Sequence, residues 1–104
     1  DLECTIIPEE NIPEELLAMI EEKKENPFKM TFEDQGFRYI CVGYGVQQTG
    51  GYSIAMNALY ETANAIYVDT NLIGPQPEEK SNIVASYPYV VIKTEFIDKP
   101  VVFD

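Results

Sequence analysis

Few side chains in this sequence could do chemistry. The 104 residues include no histidine, which removes the usual general base, the usual proton shuttle and the commonest transition-metal ligand. A Ser–His or Cys–His nucleophile pair cannot be assembled from this chain alone. Cys4 and Cys41 lack the short C-x-x-C-type spacing of a zinc site. Both lie among apolar residues, a setting that suits two buried thiols as well as a disulfide. Glu33, Asp34, Asp69, Glu95 and Asp98 could supply the carboxylate pair of a glycoside hydrolase. Their spacing singles out no pair, and carboxylates alternating along strands belong on a solvated face. Asp69-Thr70-Asn71 falls far short of the dense oxygen cluster of a calcium loop. The expectation is a non-enzymatic chain with no catalytic residue, no metal ligand and no cofactor.

Two stretches carry more information. The first is Gly43-Tyr44-Gly45-Val46-Gln47-Gln48-Thr49-Gly50-Gly51-Tyr52-Ser53, in which two glycine clusters bracket a polar loop. Consecutive glycines permit positive φ and close backbone approach, so Thr49-Gly50-Gly51 can form a sharply shaped loop with exposed N–H groups. A phosphate cradle would need a following Lys-Ser/Thr and a helix start, and a strand pattern follows instead. That leaves a structural strand connection or a loop presented to a protein partner. The second stretch is Ala85-Ser86-Tyr87-Pro88-Tyr89-Val90-Val91-Ile92-Lys93. Pro88 removes a ladder donor and so marks a strand entrance or edge. Its position between two aromatics also raises the prospect of a cis bond. The candidate contact surface is therefore Gln47, Gln48, Thr49, Gly50, Gly51 and Tyr52 with Tyr87, Pro88 and Tyr89. The three tyrosines would carry the contact energy, because tyrosine offers large amphipathic area at low entropy cost.

The elements that must position these residues follow from composition and period. The length is that of one domain, expected to span 1–104. Seven tyrosines and five phenylalanines, with many Val and Ile residues and no tryptophan, tilt the chain towards sheet. A strand is predicted over 3–7, ended by Pro8. A helix follows, with Asn11 as cap, Pro13 in the first turn and Glu14 in capping-box position. Its apolar stripe is Ile12, Leu16, Met19 and Ile20 with Leu17 beside them, and Asn26-Pro27 stops it. Phe28, Met30 and Phe32 then alternate with polar residues, Asp34-Gln35-Gly36 reads as a hairpin turn, and 37–44 returns as a central strand. Further strands are predicted over 52–60, with Tyr52, Ile54, Met56 and Ala58 on one side, and over 65–73, 89–96 and 101–103. Residues 74–86 read as a long acidic surface loop. The fold class is α+β, mainly β: an antiparallel sheet or curled sandwich with one N-terminal helix.

The net charge of −11 repels nucleic acid phosphates and anionic head groups, so neither is an expected partner. It serves solubility first, and it would attract a basic protein surface. No apolar run is long enough for a signal peptide or membrane span. With Asp1 first, the chain reads as a processed or truncated piece whose signal peptide or lipid anchor lies upstream.

Taken together, Thr49-Gly50-Gly51-Tyr52-Ser53, the acidic loop and Tyr87-Pro88-Tyr89-Val90-Val91-Ile92-Lys93 resemble the C-terminal domain of the PrcB family. That family's pattern has a Thr-Gly-Gly-Tyr turn entering a strand and, later, a Pro-Tyr-x-x-x-Lys strand. The resemblance covers about 37–94 and leaves out the helix and first strand. It implies a bacterial surface protein, often a lipoprotein, that associates with and stabilises a secreted serine protease. It brings no catalytic residues. A weaker likeness is to chagasin-like inhibitors, which insert an Asn-Pro-Thr-Thr-Gly-Tyr loop into cysteine proteases. Thr49-Gly50 and Tyr52 echo it, but Gln47-Gln48 replace Asn-Pro and Gly51 has no counterpart. The alternatives to a stabilising partner are such an inhibitor or a structural module of a larger envelope protein.

Overall fold

The computed structural model describes residues 2–76 and 83–104. In order these form β1 (Thr5–Ile6), a 3-10 turn (Glu9–Asn11), α1 (Glu14–Lys23), β2 (Pro27–Asp34), β3 (Phe37–Tyr44), β4 (Ser53–Glu61), β5 (Ile66–Ile73), β6 (Tyr89–Glu95) and β7 (Val101–Phe103). The strands make two sheets, ordered β1-β6-β3-β2 and β4-β5-β7.

β3 explains the layering. Its apolar run leaves neither face polar, so both faces must be covered. Tyr39 and Cys41 meet Leu16, Ile20 and Ile12 of the helical segment, together with Val91 of β6. Ile40 and Val42 face the other way and pack with Val90, Ile92 and Val68 between the two sheets. The result is helix, four-stranded sheet, three-stranded sheet: a mainly β α+β sandwich with one N-terminal helix on its outer face. Each fully buried Ile, Leu or Val contributes about 1.5–3 kcal/mol of transfer free energy, and Leu16, Ile20, Ile40, Ile66 and Ile92 are all at 0% exposure.

Several expectations are met closely and others are corrected. The β2–β3 hairpin closes through Gln35 (φ 52°) and Gly36 (φ 83°), with Asp34 opposite Phe37. Positive φ at both central residues is the primed turn that matches strand twist. Asn11 does not cap the helix: it ends the 3-10 turn, and Pro13 stands at the N-cap without a side-chain cap bond. The reason is Pro13 itself, which forces the preceding residue out of helical conformation; Ile12 is extended at φ −76°, ψ 132°. The helix then starts with Leu17 N–H donating to the Pro13 carbonyl at 2.9 Å, and Glu14 and Glu15 sit at its positive end.

β4 does not keep one face from Tyr52 to Ala58. A bulge between Met56 and Ala58 leaves Asn57 as the extra residue and reverses the phase. Ile54, Met56 and Leu59 therefore reach the intersheet core, while Ala58 sits opposite Asp69 on the outer face. β7 pairs with β5 in parallel, through Ile66–Val101 and Val68–Phe103. Of the acidic loop expected over 74–86, residues 77–82 lie outside the described residues. At the end remote from that loop, buried Arg38 donates to the Lys99 carbonyl at 2.6 Å, to Glu33 at 3.3 Å, and stacks on Phe96 at 4.8 Å.

The cysteines are two free thiols, not a bond. They lie on opposite faces of the four-stranded sheet, Cys41 in the helix-side core and Cys4 against the intersheet core. Burial pushes the Cys41 thiol up from 9.0 to about 12. The unfolded chain thus loses this proton from pH 9 upward while the folded chain keeps it. Stability from this group is whole below pH 9 and falls between pH 9 and about 12, at about 1 kcal/mol per pH unit. Urea midpoints measured at about pH 8 and about pH 10.5 should drop with pH for the wild type and drop less for Cys41→Ala. An equal drop in both would mean that Cys41 does not carry the alkaline loss.

Candidate partner-binding surface

The candidate residues lie where the chain crosses between the sheets. β3 leaves the four-stranded sheet at Tyr44, and residues 45–52 carry it to β4 in the other sheet. β5 ends at Ile73, and residues 74–88 return to β6. The register places both crossings at one end of the sandwich, with Gly43 opposite Tyr89 and Ser53 opposite Ile73.

The two crossings are tied together. Gln47 N–H donates to the Ser86 carbonyl at 2.8 Å, and Ser86 N–H donates back to Gln47 at 3.0 Å. The Ser86 hydroxyl donates to the Thr49 carbonyl at 2.7 Å. Gln47 Nε2 reaches the Tyr44 carbonyl at 3.2 Å, and Val46 N–H reaches the Glu25 carbonyl at 3.2 Å. Joined by these bonds, residues 44–49 and Ser86 hold one arrangement far better than two independent segments would.

The glycines differ in role. Gly45 is buried at φ +77°, and a Cβ there would stand 2.9 Å from Pro27 Cδ. Gly51 has φ +87°. Gly50 has ordinary φ, and a Cβ built on it meets no atom within 4 Å. Gly51→Ala should therefore cost about 1–2 kcal/mol for the left-handed backbone, whereas Gly50→Ala should stay within about 0.5 kcal/mol of wild type. Urea denaturation of the two variants checks the contrast. Equal costs would contradict this assignment of roles.

Gln48 and Gly51 are exposed, and Gln47, Thr49, Gly50 and Tyr52 are half-buried. Tyr52 enters β4 beside Gly74, where an added Cβ would lie 3.5 Å from its ring. Tyr87 is half-buried beneath the Lys24 ammonium, 4.9 Å from the ring centroid. The Glu21 carboxylate, 2.9 Å away, raises the Lys24 pKa. The Tyr87–Pro88 bond is trans, and Pro88 stands at the β6 entrance, where its carbonyl accepts from Tyr44 N–H at 3.0 Å. Tyr89 turns the other way. Its ring packs on the helix-side core, its hydroxyl lies 3.5 Å from Glu9, and burial followed by Glu9 pushes it up to about 12. The fold thus gathers residues 47–52 with 87 and 88 at one end. Tyr89 borders a shallow groove with Ile6, Ile7, Pro8, Tyr87 and Pro88.

Four apolar residues at this end were absent from the sequence-based surface. Ile83 is 91% exposed, Val84 66%, Val46 52%, and Ile73 is exposed as well. Val46 directly precedes Gln47 of the isolated Gln47–Ser86 bridge, and Ile83 and Val84 lie three and two residues before Ser86. An apolar Ile-Val pair inside an otherwise polar loop was the signal available in the sequence.

The family model described as PrcB C-terminal matches residues 38–95, more than half of the chain. The chain belongs to the PrcB C-terminal family. Neither the comparison with curated proteins nor that with solved structures gave a match. The PrcB C-terminal match runs from β3 through β6, so it contains both crossings and the bridge that joins them. Helix α1, β1, β2 and β7 lie outside the PrcB C-terminal span.

Proposed function

We propose that this PrcB C-terminal domain is a non-catalytic binding module of a bacterial surface protein. In this reading it associates with a secreted protease complex and stabilises it. The observation that carries the reading is the group of exposed apolar side chains, Val46, Ile83 and Val84, beside a loop held in one shape by Ser86. Exposed apolar side chains on a rigid frame are what a protein partner buries. The family name supports a protease-associated role, and the charge of −11 favours a basic partner surface. The ties from Ser86 to Gln47 and Thr49 hold the loop against the sandwich end, which suits a broad contact better than a wedge inserted into a protease cleft. An upstream signal peptide or lipid anchor belongs to the same proposal.

The test is capture of secreted and surface proteins on the immobilised chain, with a Gly50→Arg chain as control. Gly50 has room for a side chain, so the control should keep its fold and block the contact. A serine-type protease retained by the wild type and lost on the control supports the proposal. The same proteins on both, or none on either, would count against it.

A further inference from the structure

We propose that strand β2 is a self-complementary edge through which two copies of this chain join into one continuous sheet. This goes beyond the protease-binding reading and uses a different surface.

The free backbone groups of β2 can be assigned. Tyr44 N–H donates to Pro88, and Phe96 N–H donates to Gly36. Even-numbered positions of the β3 side therefore aim their N–H and C=O at β6, and alternation aims the odd ones at β2. Phe37, Tyr39, Cys41 and Gly43 pair with Asp34, Phe32, Met30 and Phe28. Those even residues of β2 spend their backbone groups on β3. Lys29, Thr31 and Glu33 are left with theirs facing outward, where no described strand pairs with them.

The other sheet edges are blunted. β1 has two residues, β7 has three, and β4 is interrupted by its bulge, devices that prevent edge pairing. β2 has eight regular residues. A lysine on an edge usually protects it. Here Glu33 follows Lys29 by four positions, with Thr31 midway.

An antiparallel copy centred on Thr31 sets Thr31 against its own counterpart and each Lys29 against the other copy's Glu33. Threonine–threonine and opposite-charge pairs are the favourable cross-strand combinations. The residues so paired are the ones whose backbone groups are free, so all three pairs exchange two hydrogen bonds. A shift of two residues would set Thr31 against Glu33 in one direction or against Lys29 in the other, and leaves no Lys–Glu pair in either case. The three residues are exposed, and the Glu33 side chain stays 54% exposed while paired with Arg38. Two copies at −11 each repel one another, so association should tighten when salt rises from about 20 mM to about 300 mM.

The experiment is equilibrium sedimentation of the chain from about 1 µM to about 1 mM, the range of weak interfaces. The expected result is a shift from 11.8 kDa to twice that mass. Thr31→Pro removes an outward N–H that β3 does not use, and should weaken the dimer at least about 10-fold with the thermal midpoint kept. Should proline unfold the strand, Lys29→Glu sets like charges opposite each other and should do the same. Amide exchange supplies the geometry: Lys29, Thr31 and Glu33 should gain protection with concentration, while Phe28, Met30 and Phe32 are slow throughout. A monomer across the range, or a dimer untouched by either variant, would overturn the proposal. So would concentration-dependent protection that spares these three amides.

Discussion

Gly43→Val is expected to lower stability by about 3 kcal/mol, a cost comparable with truncating a buried aromatic. Gly43 lies opposite Phe28, and the Phe28 ring is folded across it. A Cβ on Gly43 would come within 2.1 Å of that ring, and three ring atoms lie closer than 3.0 Å. The backbone cannot yield, since β3 is held on both sides by β2 and β6. The ring must leave its place against the helix-side core. The measurement is urea unfolding of Gly43→Val, Phe28→Ala and the double variant. Once the ring is gone the valine has nothing to displace, so the double variant should be more stable than the summed single costs imply. Strict additivity would contradict the assigned contact.

The second large effect falls on binding. Replacing Ile83 and Val84 together by aspartate should weaken capture of the protein partner by about 100-fold or more, the scale of losing hot-spot contacts and burying charge instead. Both side chains are exposed, so the thermal midpoint should move by no more than about 2 °C. The backbone tie between Gln47 and Ser86 uses neither side chain. Binding assays and thermal melts on the same samples separate the outcomes. Lost binding with an intact midpoint supports a contact surface at this end of the sandwich. Intact binding would move the partner site elsewhere.

Much of the fold was legible because local patterns and burial agree. The continuous apolar run of β3 could only be a strand covered on both faces, and Ile40 and Cys41 occupy opposite cores as that requires. The period-two pattern of Phe28, Met30 and Phe32 and the Gln35-Gly36 turn fix a hairpin before any long-range contact forms. The bulge at Asn57 was not legible, since Ala58 and Leu59 are both apolar and either phase gives an acceptable pattern. The parallel pairing of β7 was hidden for a related reason. Three residues carry no directional signal, and direction is set by the 96–100 return, whose Lys99 carbonyl is held by Arg38. At the candidate surface, glycine chemistry disclosed a shaped loop but not what holds it. The Ser86 hydroxyl bond to Thr49 spans 37 positions in sequence. Asn11 misled because its cap pattern is local, while Pro13 two residues later decides where helical backbone can begin.

The most direct test of a stabilising rather than inhibiting partner is the decay of the captured protease's activity at its working temperature, with and without this chain in excess. The expected result is an unchanged initial rate and a slower decay when the chain is present, because a partner that binds only the folded enzyme stabilises it by mass action. An immediate loss of activity on mixing would identify an inhibitor, and an unchanged decay would remove the stabilising role.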